Sequence, residues 1–122
     1  MPNYCSLDGD KIGTKLEKLI VNQDMISLSK FSNLISEAIN DITKKIKDKG
    51  YNIVFSGGDN IMFHGEIETS FCDEISEYFE NKTSNNLSIG IGNTMKESFI
   101  ALKIAKAKGG AVIIKYWEEM RP

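Results

Sequence analysis

Two short apolar runs, Ile53 to Phe55 and Ile61 to Phe63, stand on either side of the segment Ser56-Gly57-Gly58-Asp59-Asn60. That spacing reads as a β-hairpin, which commits the chain to an antiparallel sheet. An acid at the tip behind two glycines admits two readings. The turn is ordinary, or its glycines let something charged come close to the backbone.

The segments around the hairpin set the fold class. Asn3 to Leu7 reads as a strand that runs into a turn, Asp8-Gly9-Asp10. A helix follows from about Lys11 to Ile20, with Leu16, Leu19 and Ile20 at helical spacing. Asn22-Gln23-Asp24 offers caps for a longer helix, and its stripe is Ile26, Phe31, Leu34, Ile35, Ala38, Ile39, Ile42 and Ile46. Gly50 stops it. Beyond the hairpin, Ser70 to Phe79 reads as a helix with Phe71, Ile75, Tyr78 and Phe79 on one face. Asn81 to Asn86 reads as a polar loop, Leu87 to Gly92 as a strand, Lys96 to Lys106 as a helix, and Ala111 to Trp117 as a last strand. Helices in this rhythm must cover a sheet. The order predicts an α+β fold with a ferredoxin-like β-α-β-β-α-β core, an antiparallel or mixed sheet of about five strands, and helices packed on it.

Such a core places the first strand beside the hairpin at the centre of the sheet. Asp8 to Asp10 and the hairpin acid Asp59 then meet at one edge. Carboxylates held a few ångströms apart repel unless a cation lies between them. All-oxygen ligands suit Mg²⁺ or Mn²⁺, which share their coordination with substrate phosphates. Two such ions about 4 Å apart activate an attacking hydroxyl and stabilise a leaving group. Gly9, Gly57 and Gly58 allow close approach of the main chain, and the amides of Lys11 to Gly13 open a helix, where an anion is favoured.

Composition excludes some alternatives. A formal net charge of −2 argues against broad nucleic-acid binding, which shows as a basic surface. No apolar stretch approaches bilayer length and the N-terminus has no signal-peptide pattern, so the expectation is a cytoplasmic protein with no membrane span. Cys5 and Cys72 are too few and too far apart for a metal knuckle and are expected as buried reduced thiols. His64 is expected as a strand residue rather than a base.

"LDGDKIG" (Leu7 to Gly13) followed by "SGGDN" (Ser56 to Asn60) resembles the palm polymerase subunit of type III CRISPR complexes, with D-G-D-x-x-G after the first palm strand and G-G-D-D at the hairpin. "LSIGIG" and "ALKIAKAKGG" (Ala101 to Gly110) are similar to the penultimate strand and the A-L-Y-x-A-K-x-x-G-R helix end of GGDEF diguanylate cyclases. The four segments span nearly the whole chain and together look most like the stand-alone minimal CRISPR polymerases, palm-only proteins associated with antiphage defence and cyclic nucleotides.

The resemblance implies one palm domain over residues 1–122, with Asp8, the Gly9 carbonyl and Asp59 as metal ligands. It implies Asp8, Asp59 and Lys106 as catalytic residues, Lys106 reaching the triphosphate. The nucleotide site would take in the amides of Asp10, Lys11 and Ile12, with Gly13, Ser56, Gly57 and Gly58. The implied activity is a two-metal condensation of two ATP into a cyclic dinucleotide, cyclic di-AMP first, by a homodimer with substrate sites at its interface. Three positions depart from the pattern. Asn60 replaces the second hairpin acid, Gly110 replaces the arginine, and Leu16 stands where diguanylate cyclases read guanine with an asparagine. Guanine's edge unmet costs on the order of 1–3 kcal/mol, which favours adenine. No R-x-x-D inhibitory motif precedes the hairpin. A cyclic AMP cyclase, a silent palm that binds nucleotide and signals through a partner, and a plain interaction domain stay open as alternatives.

Overall fold

The computed structural model describes residues 2–120. The elements follow as β1 (Asn3–Gly9), α1 (Ile12–Val21), α2 (Met25–Asp48), β2 (Asn52–Gly57), β3 (Asn60–Gly65), α3 (Thr69–Thr83), β4 (Leu87–Gly92), α4 (Met95–Ala107), β5 (Ile113–Lys115) and a short α5 (Tyr116–Glu119). The strands form one mixed sheet in the order β2-β3-β1-β4-β5, in which only β5 runs parallel to its neighbour. The α+β ferredoxin-like order is as expected, with β1 central between the hairpin and β4.

Strand alternation gives the sheet two unlike faces. Cys5 and Leu7 of β1, Ile61 and Phe63 of β3, and Leu87, Ile89 and Ile91 of β4 are buried against α2 and α3. The helices answer with Phe31, Ile35, Ala38, Ile39, Ile42 and Ile46, and with Phe71, Ile75 and Phe79. On the opposite face β1 and β4 present the small residues Ser6, Ser88, Gly90 and Gly92, beside Met62 of β3. A Cβ on Gly90 would lie 2.2 Å from the Leu102 amide nitrogen, and one on Gly92 would lie 2.5 Å from that of Ser98. These glycines seat α4 directly on β4, and a hydroxyl bond of 2.9 Å between Ser6 and Ser98 ties it to β1. Helix α4 lies over β1, β4 and β5. A cleft remains between it and the hairpin strands.

Caps at α2 and α4 are as chemistry dictates: Asp24 accepts from the Ser27 amide at 3.1 Å, and Thr94 accepts from the Glu97 amide at 3.1 Å. Cys5 and Cys72 are free and buried with sulfurs 4.0 Å apart, and burial pushes the Cys5 thiol up. His64 lies in β3 against the Tyr4 ring, 4.4 Å between centroids.

Several boundaries differ from the sequence reading. Strand β1 continues through Asp8 and Gly9, because these pair with Asn60, Ser88 and Leu87. The hairpin turn shrinks to Gly58-Asp59, since Ser56 pairs with Ile61 and Gly57 with Asn60. Helix α1 begins at Ile12, with Lys11 outside it. Residues 81–83 are the last turn of α3 rather than loop, and the Thr83 hydroxyl donates to the Phe79 carbonyl at 2.7 Å. Tyr116 and Trp117 leave β5 and open α5. Ile20 and Ile26, on either side of the corner joining α1 to α2, are exposed rather than part of the core. Strand β2 carries a bulge between Ile53 and Phe55, leaving Val54 and Phe55 exposed on the edge strand.

Candidate active site

The sheet delivers two acids to one edge. Asp8 stands near the end of central β1, opposite Asn60 on β3. Asp59 is the second residue of the two-residue turn, in which Gly58 takes a φ of +59°. The Gly9 amide donates to the Asp59 carbonyl at 3.0 Å, which locks the turn against the end of β1. A Cβ on Gly9 would meet the Ile12 side chain at 2.6 Å and the Asp59 carboxylate at 3.3 Å, so only glycine lets the turn close here. Asp8 is pushed up to about 6, chiefly by burial and then by the neighbouring Asp59 carboxyl group. Lys106 pulls it the other way.

Lys106, in the last turn of α4, is the cation that answers this pair. Its Nζ lies 3.0 Å from the Gly9 carbonyl, 2.8 Å from Asp10 Oδ1 and 3.5 Å from Asp8 Oδ2. Asp10 is buried and holds the surrounding backbone together. Its carboxylate accepts from the Ser88 hydroxyl at 2.6 Å and from the Ala111 amide at 2.7 Å. Its own amide donates to the Asn86 carbonyl at 2.8 Å. That amide, offered to a phosphate on sequence grounds, is therefore spent inside the fold, and Asp10 serves through its carboxylate.

The same cage accounts for Gly110. It has a φ of +81°, and a Cβ there would lie 2.6 Å from Asp10 Oδ2. An arginine at this position would displace the carboxylate that positions Lys106.

The other residues singled out by sequence fall around this core. Lys11 takes a left-handed φ of 59° ahead of α1, and the amides of Ile12 and Gly13 open the helix with Gly13 exposed. Ser56 bonds through its hydroxyl to Thr43 at 3.1 Å, while Gly57 ends β2. A cleft of about 140 Å³ between α1, α2 and the turn is lined by Ile12, Leu16, Ser32, Ser36, Gly58 and Asp59. On the other side of the acids, a cleft of about 300 Å³ is lined by Asp8, Phe55, Met62, Phe99, Leu102 and Lys106 among others. Ser32, Ser36, Ser88, Phe55 and Phe99 escaped the sequence reading, since no local pattern marks a residue that joins a site only through packing.

The donor set is hard oxygen: two carboxylates and the Gly9 carbonyl. Both Asp8 and that carbonyl already hold the Lys106 ammonium, so these oxygens favour positive charge. The residues fit Mg²⁺ or Mn²⁺. Among the described residues no group of three or more His, Cys, Asp or Glu side chains gathers to hold a metal, so an ion here depends on main-chain and substrate oxygens as well.

A model of one protein family, the minimal CRISPR polymerase domain (mCpol), matches residues 4–116. No curated protein matches the chain in sequence. Among solved structures, the adenylyl cyclase CyaB from P. aeruginosa is similar with a TM-score of 0.70 at 12% identity, covering 98% of this chain and 81% of that one. The GGDEF domain of DgcB from Caulobacter crescentus, in complex with c-di-GMP, gives 0.65 at 11% identity, covering 95% and 78%. The Csm1–Csm4 cassette in complex with cA4 gives 0.65 at 16% identity, covering 92% of this chain but only 20% of that one. These likenesses establish a palm fold of the cyclase type.

Proposed function

From the premise that the chain belongs to the minimal CRISPR polymerase domain family, we propose that it is a nucleotidyltransferase condensing two ATP into a cyclic dinucleotide, cyclic di-AMP in the first place, as a signal in antiphage defence. The observation that carries this reading is the meeting of Asp8 and Asp59 beside the Gly9 carbonyl, with Lys106 bound to Asp8 and to that carbonyl.

Asp8, Asp59 and the Gly9 carbonyl would hold the divalent ions, which when bound would supply Lewis-acid polarisation of the attacking hydroxyl and charge neutralisation at the departing pyrophosphate. The amides of Ile12 and Gly13 and the Lys106 ammonium bind and orient the triphosphate. A ribose hydroxyl oxygen attacks the α-phosphorus, its proton passing to water. The bond from that phosphorus to the bridging oxygen breaks, and pyrophosphate leaves with the electron pair. Closing the ring repeats the step, and two palms facing each other supply both centres with a two-fold axis between them. Leu16 in the wall of the smaller cleft offers no hydrogen-bonding group, which supports adenine over guanine.

Incubation with each of the four nucleoside triphosphates in Mg²⁺ or Mn²⁺, followed by mass spectrometry, tests the proposal. Expected is a cyclic adenine dinucleotide that disappears in Asp59→Ala. A guanine product would overturn the reading of Leu16 and keep the mechanism. Cyclic AMP alone would make this a mononucleotide cyclase. Metal-dependent nucleotide binding without product would leave a silent palm, with Asn60, directly opposite Asp8 in the sheet, as the reason.

A further inference from the structure

The seven residues at the corner joining α1 to α2 include four large apolar side chains that the core does not use. Ile20, Val21, Met25 and Ile26 are 58%, 78%, 75% and 69% exposed. Apolar residues scattered singly over a surface need no occupant, but a group gathered at one corner does. The corner itself is tight. The Gln23 amide donates to the Ile20 carbonyl at 2.9 Å, and the Asp24 amide to the Leu19 carbonyl at 3.0 Å. These bonds hold the two helix ends together, with Leu16 and Leu19 packed on the core and the four apolar side chains left outside.

Lysines flank the group. Lys15 and Lys18 line one cleft beside Leu19, while Lys15 and Lys30 line a second. Lys30 stands one helical turn after Ile26 on the same face of α2. The Lys15 Nζ lies 4.4 Å from the Phe31 centroid, so its stem crosses from α1 to α2. From Lys11 to Lys30 the chain has four lysines and two acids, against a net charge of −2 for the whole. One of those acids, Asp24, is engaged by the Ser27 amide as the cap of α2. The corner is apolar and its surroundings are positive.

An occupant must then offer an apolar medium behind a layer of negative charge. A second copy docking the same patch against itself would bring lysine against lysine. A bilayer with anionic headgroups meets both demands. We propose that the α1–α2 corner is a peripheral membrane-docking tip: Ile20, Val21, Met25 and Ile26 sink into the headgroup region of an anionic bilayer while Lys15, Lys18 and Lys30 meet its phosphates. Long lysine side chains reach back to the headgroups as their apolar neighbours go below them. The corner lies at the other end of α1 from the Ile12 amide, roughly 15 Å along the helix, so a bilayer there leaves Asp8 and Asp59 uncovered. The chain touches the membrane without crossing it.

The test is co-sedimentation of the full chain with vesicles of phosphatidylcholine alone, or of phosphatidylcholine and phosphatidylglycerol in equal parts. Binding is expected to the anionic vesicles only, weakening as salt is raised. Val21→Ser with Ile26→Ser should weaken it about tenfold or more, and Lys18→Gln with Lys30→Gln by about fivefold per lysine. All four residues are exposed, so the melting temperatures should stay those of the wild type. Met25→Trp should tighten binding, since an indole favours the interface. Full binding by the serine variant, equal binding to both vesicle types, or binding to neither overturns the proposal. So does concentration-dependent association without vesicles that the serine variant abolishes, which would assign the corner to a second copy.

Discussion

At the residue scale, the site is a balance between two acids and one lysine, and pH tilts it. A carboxyl group with an ordinary value near 4 in the unfolded chain, pushed up to about 6 by burial and Asp59, binds its proton more tightly when folded. Stability from this group is therefore present below about pH 4 and lost as pH rises through about 6. In metal-free buffer, calorimetry across pH 4 to 7 should show the melting temperature of the wild type falling relative to Asp8→Asn. Mg²⁺ added at pH 7 should recover part of that difference in the wild type only. A constant difference would mean that Asp8 titrates in its ordinary range. Gly110 and Gly50 show how the same backbone angle has different meanings. Their φ values are +81° and +83°, but a Cβ on Gly50 has nothing within 4 Å, while one on Gly110 would strike Asp10. Gly50 was legible as a helix stop. The demand on Gly110 arises from Asp10, 100 positions away along the chain.

At the element scale, α4 matters as the arm that carries Lys106. Its distance from the sheet is fixed by Gly90 and Gly92, and its rotation by the Ser6–Ser98 bond. Gly90→Ala places a methyl group against α4 backbone, which no side-chain rotation relieves. Overpacking of this kind costs roughly 1–3 kcal/mol. Guanidinium unfolding should report a loss of that size, and nucleotide affinity should fall with it, because α4 lifts and Lys106 leaves Asp10. Unchanged affinity in a destabilised Gly90→Ala would show that the lysine reaches its partners from more than one helix position. The hairpin was the most legible element, since two apolar runs around G-G-D allow little else. Its length was not, because only the pairing of Ser56, Gly57 and Asn60 reduces the turn to two residues.

At the scale of the whole molecule, the sheet is covered unequally. One face is buried by α2 and α3, while α4 covers only part of the other and leaves the acids at the head of an open cleft. Among the described residues no helix is long and apolar enough to cross a membrane. If the product is the proposed cyclic dinucleotide, its two phosphodiester bonds set against the single Asp8–Asp59 pair predict symmetric pairing of two chains. Sedimentation velocity with Mg²⁺ and an ATP analogue uncleavable between its α- and β-phosphates should show a nucleotide-promoted dimer. A monomer at saturating analogue would overturn the facing arrangement.

The amino-acid sequence by itself determined the element order, the ferredoxin-like sheet and the meeting of Asp8 with Asp59, because periodicity is local and the topology allowed to such an order places β1 beside the hairpin. It also marked Lys106, through a motif resemblance. Only the tertiary structure decided what these residues touch. It turned Asp10 inward to organise Ser88, Ala111 and Lys106, forbade a side chain at Gly110, and brought Phe55 and Phe99 to one cleft from positions 44 residues apart. Such contacts follow from how α4 seats on two glycines and how an edge strand bulges. Packing of that kind is settled by fits between distant surfaces, and no stretch of sequence states it.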